Sequence, residues 1–282
     1  MIIDFHTHAF PTEIRDDRGR FFPEEPDFRL LYDADNARLA GVSEILQSMD
    51  SHGVDRSVIF GFPWHNMETT RNHNDYIIAS VKKHPDRFVG FCCVDPLGAD
   101  ATMEVERCLD SGLSGVGELA FYHSGIDENC LDHLDPVMRV CADRQIPVMI
   151  HTNEPIGHQY PGKTPNTLIQ IYSLIKRFPD NTLILAHWGA GIFFYTLLKK
   201  EIRSVLKNVY YDTAASPFLY DTAIYGLAKQ LGVLNRVLMG SDFPLLSPQR
   251  YLDEIGDSGL DHEDRVMVMG QNAARLLGLE KA

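Results

Sequence analysis

The chain has 282 residues, 44% of them apolar, with 39 acidic against 26 basic side chains and a formal charge of −13. That length suits one large domain, and the acidity opposes nonspecific attachment to phosphate backbones or anionic membranes, which need a basic surface. With neither a charged leader plus apolar segment nor a run of 18 apolar residues in view, a cytoplasmic protein acting on a small molecule is expected, with no nucleic-acid or membrane partner.

The first element is "IDFHTH". A strand here sends Asp4, His6 and His8 to one face and Ile3, Phe5 and Thr7 to the other. Two imidazoles on one face at a strand mouth suit a shared metal ion, although a solvated strand end reads the same way. Residues 10–36 follow, rich in charge, proline and aromatics, as a long loop that we read as a lid or substrate wall. Further strands are expected in "DRSVIFGFP", "DRFVGFCCVDP", "LSGVGELAF", "QIPVMIHTN", "NTLILAHWGAG", "NVYYDTAAS" and "NRVLMGSDFP". Between them, stretches such as "ARLAGVSEILQSMDSHG", "NDYIIASVKKHP" and "TLIQIYSLIKRFP" repeat apolar residues at helical spacing, often ending in glycine or proline. The five cysteines are odd in number and contain no C-x-x-C pair, so they are read as buried thiols and not as disulfides or a zinc knuckle.

Eight apolar strands alternating with helices predict a parallel sheet covered on its outside, a (β/α)8 TIM barrel forming one domain over residues 1–282. A doubly wound sheet is the alternative, but no G-x-G-x-x-G follows the first strand. The barrel then sorts the twelve histidines. His52, His84, His133 and His262 fall near helix ends, and His65 and His73 around the second loop and its helix, where surface positions are expected. His6, His8, His151 and His187 fall at C-terminal ends of strands, as do Glu118 and Asp242. Their separations of 33, 36 and 55 residues from 118 to 151, 187 and 242 correspond to one, one and two βα units. The six side chains should therefore converge at one rim, where barrels of this kind carry their chemistry.

The ordered set "IDFHTH", "GVGEL", "MIHTN", "LAHWGAG", "MGSDFP" and "GQNAARLLGL" resembles the amidohydrolase superfamily. The likeness is strongest to the amidohydrolase-related group that includes aminocarboxymuconate semialdehyde decarboxylase. It runs from Ile2 to about Leu279 and implies a metal-dependent barrel hydrolase or lyase. By that resemblance His6 and His8 are first-strand metal ligands, His151 the fifth-strand ligand and Asp242 the eighth-strand carboxylate. His187 matches a histidine that contacts water or substrate in one-metal members and a second ion in two-metal members. Glu118 stands where some two-metal members, the TatD-type nucleases among them, place a bridging carboxylate. One or two divalent ions are implied, zinc first and manganese second.

A bound divalent ion lowers the pKa of its water, which favours attack on a C=O centre. The leading expectation is therefore hydrolysis of an amide, lactone or related bond in a small carboxylated molecule, with Asp242 and His187 catalytic. The alternative is nonoxidative decarboxylation of a similar acid on the same site. A TatD-like nuclease and a non-catalytic metal-binding barrel rank below both, the first because no basic stripe is visible. Substrate contacts are expected from Trp64, Arg71, His158, Tyr160, Lys163 and Trp188, with Lys163 or Arg71 holding a carboxylate and the tryptophans flanking a planar group. Glu154 stands in the same loop as Lys163. Asp4 is expected deeper on the first strand, orienting a ligand histidine. A homodimer is the expected oligomer.

Overall fold

In a computed structural model describing residues 1–279, eight parallel strands pair strictly in sequence order. They are β1 (Ile3–His8), β2 (Arg56–Phe60), β3 (Phe88–Cys92), β4 (Gly115–Leu119), β5 (Val148–Ile150), β6 (Leu183–Leu185), β7 (Val209–Asp212) and β8 (Val237–Leu238). The ring closes through backbone hydrogen bonds: Phe5 N donates to Met239 O at 2.7 Å, His8 N to Phe243 O at 2.9 Å and Asp242 N to His6 O at 2.9 Å. This is the expected TIM barrel.

Strand alternation builds two apolar layers. Val58 and Phe60 of β2 join Phe5, Val89, Phe91, Met149, Ile184 and Leu238 in one cluster, plugged by Ala273 and Ala274 of the helix Asn272–Leu276. Ile59, between them in sequence, belongs instead to the layer shared with the surrounding helices. Those helices include α3 (Val42–His52), α4 (Met67–Lys83), α5 (Ala101–Asp110), α6 (Glu128–Asp143) and α7 (Leu168–Arg177), which follow α1 (Thr12–Asp16) and α2 (Pro26–Tyr32) of the first loop. Their starts are chemically marked. Asn66, Asp127 and Thr167 each accept a backbone N–H of the first helical turn with a side-chain oxygen. All five cysteines are reduced and buried.

Residues 10–36 are not a bare loop. They carry α1 and α2 and build a small aromatic core of Phe10, Ile14, Phe28, Phe62 and Trp64. Phe28 and Trp64 lie 4.5 Å apart, centroid to centroid. The segment is thus a packed wall beside the barrel mouth.

Candidate metal centre at the barrel mouth

Two β-bulges aim side chains into the mouth. On β1, Asp4 faces Ser57 but Thr7 faces Ile59, so β1 spends one residue more than β2. The extra residue resets the alternation, which explains why Phe5 joins the interior apolar layer while His6 and His8 point at the cluster. Asp4 therefore leaves the face expected for it. Its carboxylate accepts Ser241 N at 2.8 Å, Ser241 Oγ at 2.5 Å and His6 N at 3.3 Å, so it holds the backbone of His6 and not its ring. On β4 the same slip falls between Val116 and Leu119 and turns Glu118 inward. Gly117 is required there: its φ is +119°, and a Cβ would meet Met149 O at 2.3 Å.

His6 Nε2 and His8 Nε2 lie 3.3 Å apart. Glu118 Oε2 lies 3.6 and 3.8 Å from them, and Asp242 Oδ1 3.5 and 3.4 Å. Four donor atoms around an ion at about 2.0–2.1 Å would be separated by roughly 3.3 Å in a tetrahedron. The donor set and its spacing therefore fit a divalent cation.

The outer nitrogens support the same orientation. His6 Nδ1 lies 2.9 Å from Asp212 Oδ2 and His8 Nδ1 3.4 Å from Gly61 O, which leaves each Nε2 free for the centre. Asp212, the last residue of β7, is not among the residues selected from the sequence, although it stands at the C-terminal end of a strand as Glu118 does. Its other oxygen accepts His187 N at 2.8 Å and Ala214 N at 3.0 Å.

Glu118 also belongs to a second group with His151 and His187. His151 Nδ1 lies 2.9 Å from Glu118 Oε1, and its Nε2 lies 3.0 Å from Gly162 O. His187 Nδ1 is held on Ala214 O at 2.9 Å, with Nε2 3.5 Å from Glu118 Oε1. The six strand-end residues thus converge as two overlapping groups sharing Glu118. His187 and Asp242 both occupy left-handed backbone, at φ 55° and 58°, a strain common at functional positions.

Burial opposes charge on His6, but Glu118, Asp212 and Asp242 outweigh it and lift the imidazole to about 10. His187 rises to about 9 against burial through Glu118, Asp242 and Asp212. Burial also works against the Glu118 carboxylate, yet His151 and His6 carry it well below the usual range. The three carboxylates thus draw positive charge into the pocket.

Several expected substrate contacts are engaged with other protein groups. Trp64 is 1% exposed in the lid core, donating to His73 Nδ1 at 2.8 Å. Trp188 is fully buried behind β6, against Phe193 and Tyr225, and donates to Ser216 Oγ at 3.0 Å. Arg71 sits on α4, half exposed, 3.6 Å from Glu104 of α5. Lys163 donates to Glu154 Oε1 and Ile156 O, each at 2.7 Å, so its charge is spent within its own loop. Tyr160 donates to Glu154 Oε2 at 2.7 Å, and His158 is exposed beside it. His73, expected at the surface, is 1% exposed, with Nε2 2.7 Å from Ala9 O; burial lowers it to about 4, so it stays neutral.

Other rings border the cluster. His8, Phe10, Tyr32, Phe62, Tyr122 and His151 follow one another at centroid distances of 6.4, 5.4, 6.2, 6.4 and 6.1 Å. This arc joins one candidate ligand to another through the lid. Burial raises the Tyr32 and Tyr122 phenols, and neighbouring carboxylates, Glu118 among them, push the same way, so both hydroxyls stay protonated.

Comparison with known proteins accords with this geometry. A gamma-resorcylate decarboxylase from Rhizobium sp. strain MTP-10005 is 23% identical over 327 aligned residues, covering 97% of each chain. The structure of 5-carboxyvanillate decarboxylase from Sphingomonas paucimobilis superposes with a TM-score of 0.76 at 20% identity, over 98% of both chains. A dihydroxybenzoic acid decarboxylase from Polaromonas sp. JS666, solved with manganese and the inhibitor 2-nitroresorcinol, gives 0.71 at 19% identity over 100% of this chain and 98% of that one. A family model for amidohydrolases matches residues 3–279. The chain belongs to the amidohydrolase family and is an enzyme of that superfamily.

Proposed function

We propose that this enzyme is a divalent-metal-dependent, nonoxidative decarboxylase of a small hydroxylated aromatic acid. The comparisons favour this reading, the alternative of the sequence analysis, over hydrolysis, because the curated relatives and several structural neighbours are decarboxylases of such acids. The observation that carries it is the His6, His8, Glu118 and Asp242 donor set facing a wall of aromatic rings.

In this reading His6, His8, Glu118 and Asp242 hold the ion, with His151 and His187 beside it through Glu118. Manganese ranks with zinc, since three of the neighbours carry manganese. The ion, when bound, supplies positive charge that draws the acid in and offsets negative charge developing on it. Phe62, Tyr32 and Tyr122 present ring faces and edges to a planar substrate and exclude water from it. Loss of CO2 breaks the ring-to-carboxylate bond, leaves its electron pair on the ring carbon and requires one proton there. Asp242 and His187 are assigned to that transfer, because both border the cluster and His187 has its Nδ1 side fixed on Ala214 O.

Glu118, shared by two donor groups, also suits a two-ion hydrolase, the second reading. A CO2-release screen of hydroxybenzoic acids beside a lactone and amide panel, on protein loaded separately with Mn²⁺ and Zn²⁺, separates them. Decarboxylation predicts CO2 from at least one acid and no turnover of the panel; lactone or amide turnover without CO2 would reverse the order.

A further inference from the structure

A cleft of about 450 Å³ opens at the base of the lid, on the β8 side of the mouth and apart from the donor cluster. Its walls come from three directions. Arg15 and Arg18 stand on the outgoing limb of the lid, Arg38 on the returning limb, and Phe243 and Pro244 on the segment that follows Asp242. Three guanidinium groups thus face one carboxylate, Glu44, in a chain whose overall charge is −13.

Arg15 is committed to Glu44 and to Thr12 Oγ1. Arg18 donates to Ala37 O at 2.7 Å and Ala34 O at 3.0 Å and, among the described residues, has no carboxylate within ion-pair distance. Arg38 is exposed and, among the described residues, has no carboxylate within ion-pair distance. Guanidinium forks converging from separate chain segments match the oxygens of a carboxylate or phosphate, which can take two donors at once. The volume exceeds that of a single small ion, given about 30 Å³ for a water molecule in the liquid.

We propose that the Arg15, Arg18 and Arg38 cleft is an anion-binding site for a carboxylate- or phosphate-bearing small molecule. Such a ligand bridges the two limbs of the lid. It also rests on Phe243, whose carbonyl accepts the backbone N–H of His8, so occupancy bears on both the lid and a candidate ligand strand.

Titration calorimetry of the metal-loaded enzyme with sodium sulfate, at ionic strength fixed with sodium chloride, reads the site directly. The expected result is one saturable site per chain, weakened about tenfold in Arg38→Gln through lost charged hydrogen bonds. It should persist in a His6→Ala, His8→Ala variant, which separates this cleft from the metal centre. Arg18→Gln should weaken it likewise, and Arg38, being exposed, can be replaced without disturbing the fold. Absence of saturable binding would overturn the proposal. So would an affinity equal to wild type in both arginine variants, or binding lost with His6 and His8. Sulfate inhibition of turnover that competes with the aromatic acid and disappears in Arg38→Gln would assign the cleft to the substrate's own carboxylate. Binding without competition would assign it to a free anion, and either source upholds the site.

Discussion

His6 Nδ1 lies 2.9 Å from Asp212 Oδ2, with both side chains wholly buried, so a carboxylate on β7 sets the orientation of an imidazole on β1. The same carboxylate anchors the backbone of His187. One residue thereby ties three strands' worth of candidate chemistry together, and its neutralisation should be felt at the metal rather than in the fold.

Asp212→Asn keeps the shape and removes the charge. Loss of such an outer partner costs about 10- to 100-fold in metal affinity. Competition against a chromogenic chelator should show that fall, with circular dichroism unchanged; an affinity equal to wild type would deny Asp212 its orienting role.

Glu118→Gln tests the shared carboxylate. The amide keeps one acceptor oxygen but no charge, so metal content and CO2 release should fall together, with at least one ion per chain lost if Glu118 bridges two. Full metal content with full activity would place Glu118 outside the centre.

The lid is pinned by His65, which lies 3.1 Å from Asp27 of α2 and 3.0 Å from Asp95. Asp27 is also 2.9 Å from His123. Hydrogen bonds to Asp27 and then Asp95 raise His65 from its ordinary 6.5 to about 10. Because the folded value is the higher one, the stabilisation is complete below pH about 6.5 and is lost as pH rises towards 10. Hydrogen exchange of α2 amides, corrected for intrinsic rates, should therefore show weakening protection across that interval. A His65→Asn variant should show no such trend; identical profiles for the two proteins would remove the latch.

Trp64→Ala empties the centre of the lid core, where Trp64 packs on Phe28, Phe62 and Phe21. A buried tryptophan lost this way costs about 3–5 kcal/mol. Protection of α2 should collapse while the strands remain protected. An unaltered α2 would mean that the lid is held by its ion pairs alone.

The barrel was legible because each strand is a short β-branched run followed by a helical period, and strand ends then selected His6, His8, Glu118, His151, His187 and Asp242. Asp212 obeys the same rule and was readable in "NVYYDTAAS". His73 was readable too: it falls with Thr70, Asn74, Ile77 and Ile78 on the buried stripe of α4. The parity of Asp4 was not readable, since a bulge is a property of two paired strands and leaves no mark in either alone. The lid escaped because helices of 5 and 7 residues are too short to show a period, and its aromatics are held by rings from β2 and β4 loops distant in sequence. Trp64 and Trp188 show that an aromatic near a strand end gives no hint of whether it faces the mouth or the packing behind it.

The central claim is that the His6, His8, Glu118 and Asp242 cluster holds the ion on which decarboxylation depends. Manganese uptake and CO2 release from a hydroxybenzoic acid, measured in the same samples of wild type and a His6→Ala, His8→Ala variant, test this together. Stoichiometric uptake with CO2 release in wild type, both lost in the variant, is the predicted result. CO2 release that survives in the variant, or in wild type stripped of metal by a chelator, would contradict it.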